Sequence, residues 1–552
     1  MDGDAHRERE HFFTGAKTIA AVTLLSRVLG LVRDMAITRL GATRMTDAFA
    51  FASKVPNLFR RLFGEGALSA AFVPVFTETV EQRGVDRGRA LLANALGLLT
   101  LVLAGLLVVA GVGLAVWGLA FPGNWDRQLV LGLLAVMLPF TLTVCLLALA
   151  SAAMNCRGHF AYPAFAPIVL NIFMIAAAVL APRVLAGNVP AQLYLIAASV
   201  TVAGVVQLAG ALWVLRRAGF AVRPTLRPVQ PGIGTMLKTM LPMLLGLGFL
   251  QVSEVINDAI AWTLTETPAS QTLTLLGWEL RKPLQGGVLM RVYAAQRLYQ
   301  FPMGVLAVSL GVAIFPLLSR YAARGDRESF RDSLNRALRL AMMEGLAAGV
   351  GLFVLADPIV RLLFQRPPRF TQQDAATTAF VLKMYVLGMW AYCTYQMFVR
   401  AFYSLKDTLT PMKTGCLLVV PNMVLFAGLL WVPALGPGAY GVATAVTFAA
   451  NTIILAALFR RRVGRFGGRK LAVSVGRSLA ACAVMSAVIV LLERVLSGRS
   501  DLLIVGVCVP AGFVAFVATA WLLRAPELGE LLGAVGGRGA GGKDGEGGAK
   551  TL

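Results

Sequence analysis

The fold is decided by the stretch Ser26–Glu78, SRVLGLVRDMAITRLGATRMTDAFAFASKVPNLFRRLFGEGALSAAFVPVFTE. Its surroundings are apolar enough for a membrane, yet it carries Arg27, Arg33, Asp34, Arg39, Arg44, Asp47, Lys54, Arg60, Arg61 and Glu65. A charge at mid-bilayer costs about 2.5–3.5 kcal/mol on insertion scales, so it normally faces a bundle interior or a wet cavity. On one continuous helix, Asp47, Lys54, Arg61 and Glu65 share a face, at steps of seven, seven and four. That stripe is about 27 Å long at 1.5 Å per residue, close to the thickness of the hydrocarbon core. It predicts the polar lining of a cavity crossing the membrane. The competing reading makes the charges interfacial anchors that snorkel to helix ends. That reading suits Arg39, Arg44 and Lys54 better than Arg27, Arg33, Arg60 and Arg61.

Outward from this stretch the chain is uniformly apolar. Of 552 residues, 57% are hydrophobic and only 14% charged, against about 25% charged in soluble domains. With a mean hydropathy of +0.72, it reads as an all-α polytopic membrane protein. The net charge of +23 invites a nucleic-acid reading, but the basic residues sit in short loops between apolar runs, which is the positive-inside pattern. The six cysteines lie in or beside apolar segments without paired or metal-ligand spacing, and read as small core residues. The first ten residues are charged, and no short apolar run with a cleavage site follows, so the first span is expected to be retained.

We read about fourteen spans, from 15–40 and 46–64 at the start, through 334–364 and 375–404, to 471–495 and 501–523 at the end. An even number puts both termini on one side, and loops such as RRRVGRFGGRK at 460–470 make that side cytoplasmic. The loop 264–285, with Trp278 near Arg281, is the longest expected on the outer side and reads as an interfacial segment. Residues 525–552 are Gly-rich and expected to be disordered. Two echoes, 153–171 with 401–422 and 61–76 with 297–318, are offset by six spans. They predict two parallel repeats about an axis along the membrane normal, with the working site at their interface.

No GxxxxGK[ST], GxSxG, HExxH or CxxC occurs, and only His6, His11 and His159 could supply imidazole. Neither an enzyme nor a machine driven directly by ATP is indicated. What remains is a cationic cavity. Arg27 and Asp34 share a face of the first span through Gly30, with Arg33 to one side of that line; Glu254, Asp258 and Arg297 are intramembrane further on. Guanidinium groups match phosphate oxygens bidentately, so the expected guest is anionic, most simply a phosphate. Asp34, Asp47 and Glu65 would hold the arginines while the site is empty.

SRVLGLVRD (26–34), TDAF (46–49), PNLFRRLFGEGALSAAFVPVF (56–76), YPAFAPIVLN (162–171), RLYQFPMGVLAVSLG (297–311) and LKDTLTPMKT (405–414) resemble the MurJ/MviN family of bacterial lipid II flippases, in the MOP superfamily. The resemblance runs from about 15 to 460. It implies a cytoplasmic N-terminal segment (1–14), a six-helix lobe at 15–220, a second at 221–462 around a central cavity, a lipid-tail groove at 463–524 and a cytoplasmic tail at 525–552. The family's cavity arginines carry over to Arg27, Arg33, Arg60 or Arg61, and Arg297, with acidic partners at Asp34, Asp47 and Glu65. Gln300 stands where some relatives place an acid after the last of these. The family's sodium site implies ligands at Asp258 and Asn422, but Phe426 replaces a further acid.

The expected activity is transfer of lipid II, the undecaprenyl-diphosphate-linked peptidoglycan precursor, from the cytoplasmic to the outer leaflet of the bacterial inner membrane by alternating access. No cofactor is expected; sodium, protons or the membrane potential would drive the cycle. Membrane lipids and cell-wall synthesis proteins are the expected partners. The alternatives are a polysaccharide-lipid flippase or a multidrug or cation antiporter of the same superfamily, and a non-transporting scaffold for cell-wall enzymes.

Overall fold

The computed structural model describes residues 22–529, except 65–66, 121–124, 227–228, 268–269 and 276–277. Helix α1 covers residues 22–38. It is followed by α2 (Arg44–Phe59), α3 (Ala67–Arg83), α4 (Val85–Ala120), α5 (Trp125–Cys156), α6 (Ala161–Val184), α7 (Val189–Arg217) and α8 (Gly232–Thr263). After the strands β1 (Thr272–Leu275) and β2 (Trp278–Arg281) come α9 (Val288–Arg324), α10 (Arg327–Val354), α11 (Ala356–Phe364), α12 (Gln372–Val386) and α13 (Met389–Ser404). The chain continues through α14 (Leu409–Leu429), α15 (Ala439–Arg462), α16 (Gly468–Val495) and α17 (Asp501–Leu522). Among the described residues, ten helices are long and apolar enough to cross a membrane. Helices are the natural solution there, because every backbone polar group is satisfied within its own segment.

Two expectations need correction. The second span does not run on as one α-helix: after Phe59 it widens into a π-helical turn, Arg60–Gly64, before α3 begins. The expected spans at 334–364 and 375–404 are each broken, into α10 and α11 and into α12 and α13. The loop 264–285 contains an antiparallel hairpin, with Thr272 opposite Arg281 and Leu273 opposite Leu280. Its period-two pattern TLTL, rich in β-branched residues, was the available signal.

The chain forms two compact units. One comprises the chain up to Arg297 together with Leu363–Val381 and Gly415–Ala443. Within it α5 packs against α2 and α7, and α7 against α6. Small residues allow the close crossings: a Cβ on Gly204 of α7 would lie 2.3 Å from Thr143 Oγ1 of α5. The start of α9 is fixed from α2. Asp47, fully buried, accepts the backbone N–H of Gly287 at 2.7 Å and of Met290 at 2.9 Å, which satisfies orphan donors at a helix N-terminus. Gly287 has φ +88°, and a Cβ there would lie 2.1 Å from the Ala42 carbonyl oxygen, so only glycine fits this approach.

The second unit comprises Leu298–Leu362, Leu382–Thr414 and the chain from Thr444 onward. Here α10 packs against α13 and α16, and α16 against α17. Met343, Cys482, Met485, Ile489, Phe516 and Leu528 share one core cluster. The first residues of the tail are thereby ordered, against the expectation of disorder from residue 525. Leu528 is buried, and Glu527, 1% exposed, meets Arg339 at 2.7 Å. An apolar side chain and a carboxylate with a waiting guanidinium give this part of the tail what its glycines lack. Residues 530–552 lie outside the described residues.

Candidate substrate cavity

A cavity of about 550 Å³ lies within the first unit, between α1, α2, α5, α6 and the start of α9. Its charged lining consists of Arg27, Arg33, Arg60 and Arg297; none of the described residues lining it is acidic. Much of the remaining lining is apolar, including Met137, Phe140, Val144 and Leu147 of α5 and Leu170 and Met174 of α6. On α1 the lining residues are Ser26, Arg27, Gly30 and Arg33, spaced as one helical face. This alters the expected arrangement: Arg33 joins Arg27 on the cavity face, and Asp34 stands behind it, 2% exposed.

Asp34 organises the site from that buried position. Its Oδ1 accepts Arg33 Nε at 2.9 Å and Nη2 at 2.8 Å, and the Tyr293 hydroxyl at 2.7 Å. Its Oδ2 lies 3.6 Å from Arg297 Nε. The Arg297 guanidinium stacks 4.6 Å from the centre of the Tyr293 ring, a cation–π contact. One carboxylate therefore holds arginines from α1 and α9, which answers the absence of an acid at position 300. A second support comes from α6. Asn171, 4% exposed, accepts Arg33 Nη1 at 2.9 Å on its Oδ1 and donates from Nδ2 to the Ser26 carbonyl at 3.0 Å. Three of the five guanidinium N–H groups of Arg33 are thus engaged by Asp34 and Asn171. The amide fixes the arginine without adding a negative charge that would compete with an anionic guest.

Asn171 and Tyr293 were not among the residues expected from sequence. The asparagine had one signal, its place at the end of YPAFAPIVLN; the tyrosine's role depends on a contact spanning 259 positions.

The stripe on α2 has a different setting from the one expected. Asp47 caps α9, Lys54 Nζ lies 3.1 Å from Asp258 Oδ2, and Arg61 Nη1 lies 3.2 Å from Glu254 Oε2. None of the three lines the cavity. Ser53, Asn57 and Arg60 line it instead, with Asn57 accepting Arg60 Nε at 3.1 Å. The reason is local: the residues at steps of seven from Asp47 face the charged side of α8, and those preceding Lys54 and Arg61 by one face the cavity. Glu65 lies outside the described residues.

Asp258 and Asn422 do not form a metal site as arranged. Both Asp258 oxygens are taken, Oδ2 by Lys54 and Oδ1 by the Tyr440 hydroxyl at 2.9 Å. Asn422 Oδ1 accepts Asn257 Nδ2 at 3.2 Å, and its own Nδ2 donates to the Ala443 carbonyl at 3.2 Å. Among the described residues, no group of three or more His, Cys, Asp or Glu side chains could hold a metal ion.

Comparison with known proteins places the chain in a family. The family model described as lipid II flippase MurJ matches residues 36–507. The probable lipid II flippase MurJ of Vibrio cholerae is 31% identical over 426 residues, covering 75% of this chain and 76% of the relative. That of Rhizobium tropici is 30% identical over 530 residues, covering 93% and 95%. Among solved structures, a lipid II flippase MurJ in an inward closed conformation aligns with a TM-score of 0.72 at 21% identity, over 92% of this chain and 98% of that one. An inward-facing multidrug transporter of the MATE family, in the MOP superfamily, gives 0.64 at 15% identity, over 81% and 98%. An all-α membrane protein whose arginine-lined cavity sits in this shared fold, the chain belongs to the MurJ family of lipid II flippases.

Proposed function

We propose that this chain carries lipid II across the bacterial inner membrane, from the cytoplasmic to the outer leaflet, by alternating access. The observation that carries this reading is a cavity lined by four arginines, by no acid among its described residues, and by many apolar side chains. An amphiphile with an anionic headgroup matches both surfaces. Arg33 and Arg297 would bind the diphosphate, since their guanidinium groups offer forked donors to phosphate oxygens. On arrival the diphosphate competes with Asp34 for the same N–H groups, so the empty site keeps its arginines paired and the loaded site releases them. The chain is a transporter and performs no covalent chemistry.

In this reading the halves 15–220 and 221–462 alternate, residues 463–524 support the lipid tail, and both termini are cytoplasmic. Cell-wall synthesis proteins act before and after it. A multidrug cation antiporter shares the fold, but its guest would meet four like charges. A scaffold would leave the buried arginine network without purpose. Depletion of the protein tests the proposal: lipid II should accumulate on the cytoplasmic side, measured by its protection from an externally added enzyme that cleaves it. Accumulation of a different lipid-linked precursor would sink the assignment.

A further inference from the structure

Two ion pairs, four residues apart on α8, join it to α2 and to the π-helical turn that follows: Lys54 with Asp258 and Arg61 with Glu254. They differ in surroundings. Glu254 is half exposed, but Lys54 and Asp258 are buried, at 13% and 4% side-chain exposure. The Lys54 ammonium also reaches Gln296 Oε1 at 3.4 Å, and the far side of the Asp258 carboxylate is closed by the Tyr440 hydroxyl. An ammonium is a compact point charge with three donors on a flexible stem. In this pocket it supplies the positive charge that faces the Asp258 carboxylate.

We infer that Lys54 is the resident counter-cation of Asp258, a tethered charge that leaves this carboxylate no need of a dissociable ion. A tethered cation has two consequences that a free ion lacks. It cannot exchange with either compartment, so an ion gradient cannot do work through Asp258. It also stays when external sodium is removed, so neither the fold nor transport depends on that ion. The carboxylate needs the charge: one partner of a buried pair, left alone, strongly destabilises a protein.

The test uses the full-length protein in nanodiscs, comparing sodium chloride with choline chloride at equal ionic strength. Thermal unfolding of the wild type should be the same in both salts, and radioactive sodium should not be retained. Lys54→Gln should unfold several degrees lower in choline, and adding Asp258→Asn should recover the loss, because the unpaired carboxylate is then gone. If Lys54→Gln fails to insert, insertion of the double variant at wild-type level gives the same result. Sodium-dependent stabilisation of the wild type that disappears in Asp258→Asn overturns the inference, as does a Lys54→Gln protein as stable in choline as the wild type. These measurements use no lipid substrate, so their outcome is separate from that of the transport proposal.

Discussion

At the residue scale the cavity is a balance of four cations against one buried carboxylate. Asp34 neutralises part of that charge and sets the orientation of Arg33 and Arg297 together. Arg33→Ala and Arg297→Ala should each abolish complementation of a depleted strain while the protein inserts at normal levels. Lysine at either position should rescue only in part, because it lacks the fork. Asn171→Leu removes one hydrogen bond to a charged group, worth about 1.5–3 kcal/mol, and should weaken diphosphate-lipid binding roughly ten- to a hundredfold. Its effect should largely vanish in an Arg33→Ala background, since the two residues act through one contact. Full complementation by a protein lacking both Arg33 and Arg297 would end the diphosphate reading.

At the element scale the contact between α2 and α9 matters most. Asp47 binds two backbone N–H groups at the start of α9, and Gly287 makes the approach possible. Cysteine at position 287 would clash with the Ala42 carbonyl, so the pair to test is Asp47→Cys with Met290→Cys in a Cys-less background. This pair should cross-link in the state described, stop transport, and release it on reduction. Complete cross-linking with undiminished export would show that α2 and α9 need not separate. The tail has its own boundary. Truncation after residue 529 should leave export intact. Truncation after Arg524 removes Glu527 and Leu528, leaves Arg339 without its 2.7 Å partner, and should lower the unfolding temperature by several degrees.

For the whole molecule the question is what drives the cycle. With no nucleotide motif in the chain and Lys54 paired with Asp258, the proposal gives the cavity arginines the role of responding to a field. Each charge crossing the whole field exchanges about 2.3 kcal/mol per 100 mV. Collapsing the membrane potential at constant pH and sodium should therefore slow lipid II export in cells. Export that persists unchanged at zero potential but stops when sodium is withdrawn would contradict both this expectation and the role given to Lys54.

The sequence by itself determined the membrane class and the concentration of charge between Ser26 and Glu78, because apolar length and the cost of a charge in lipid are local properties. With the family resemblance it pointed to Arg27, Arg33, Arg60 or Arg61, and Arg297 as a cationic set, and the cavity brings together all of these but Arg61. Tertiary structure decided which charge serves which purpose. Asp47 and Lys54 lie on a helix face that meets α8 and α9, and Ser53, Asn57 and Arg60 line the cavity; only the direction of packing distinguishes them. Asn171 and Tyr293 reach α1 from positions 138 and 259 residues away. Helical periodicity places a residue on a face of its own helix, but the identity of the neighbour across that face depends on how the helices pack.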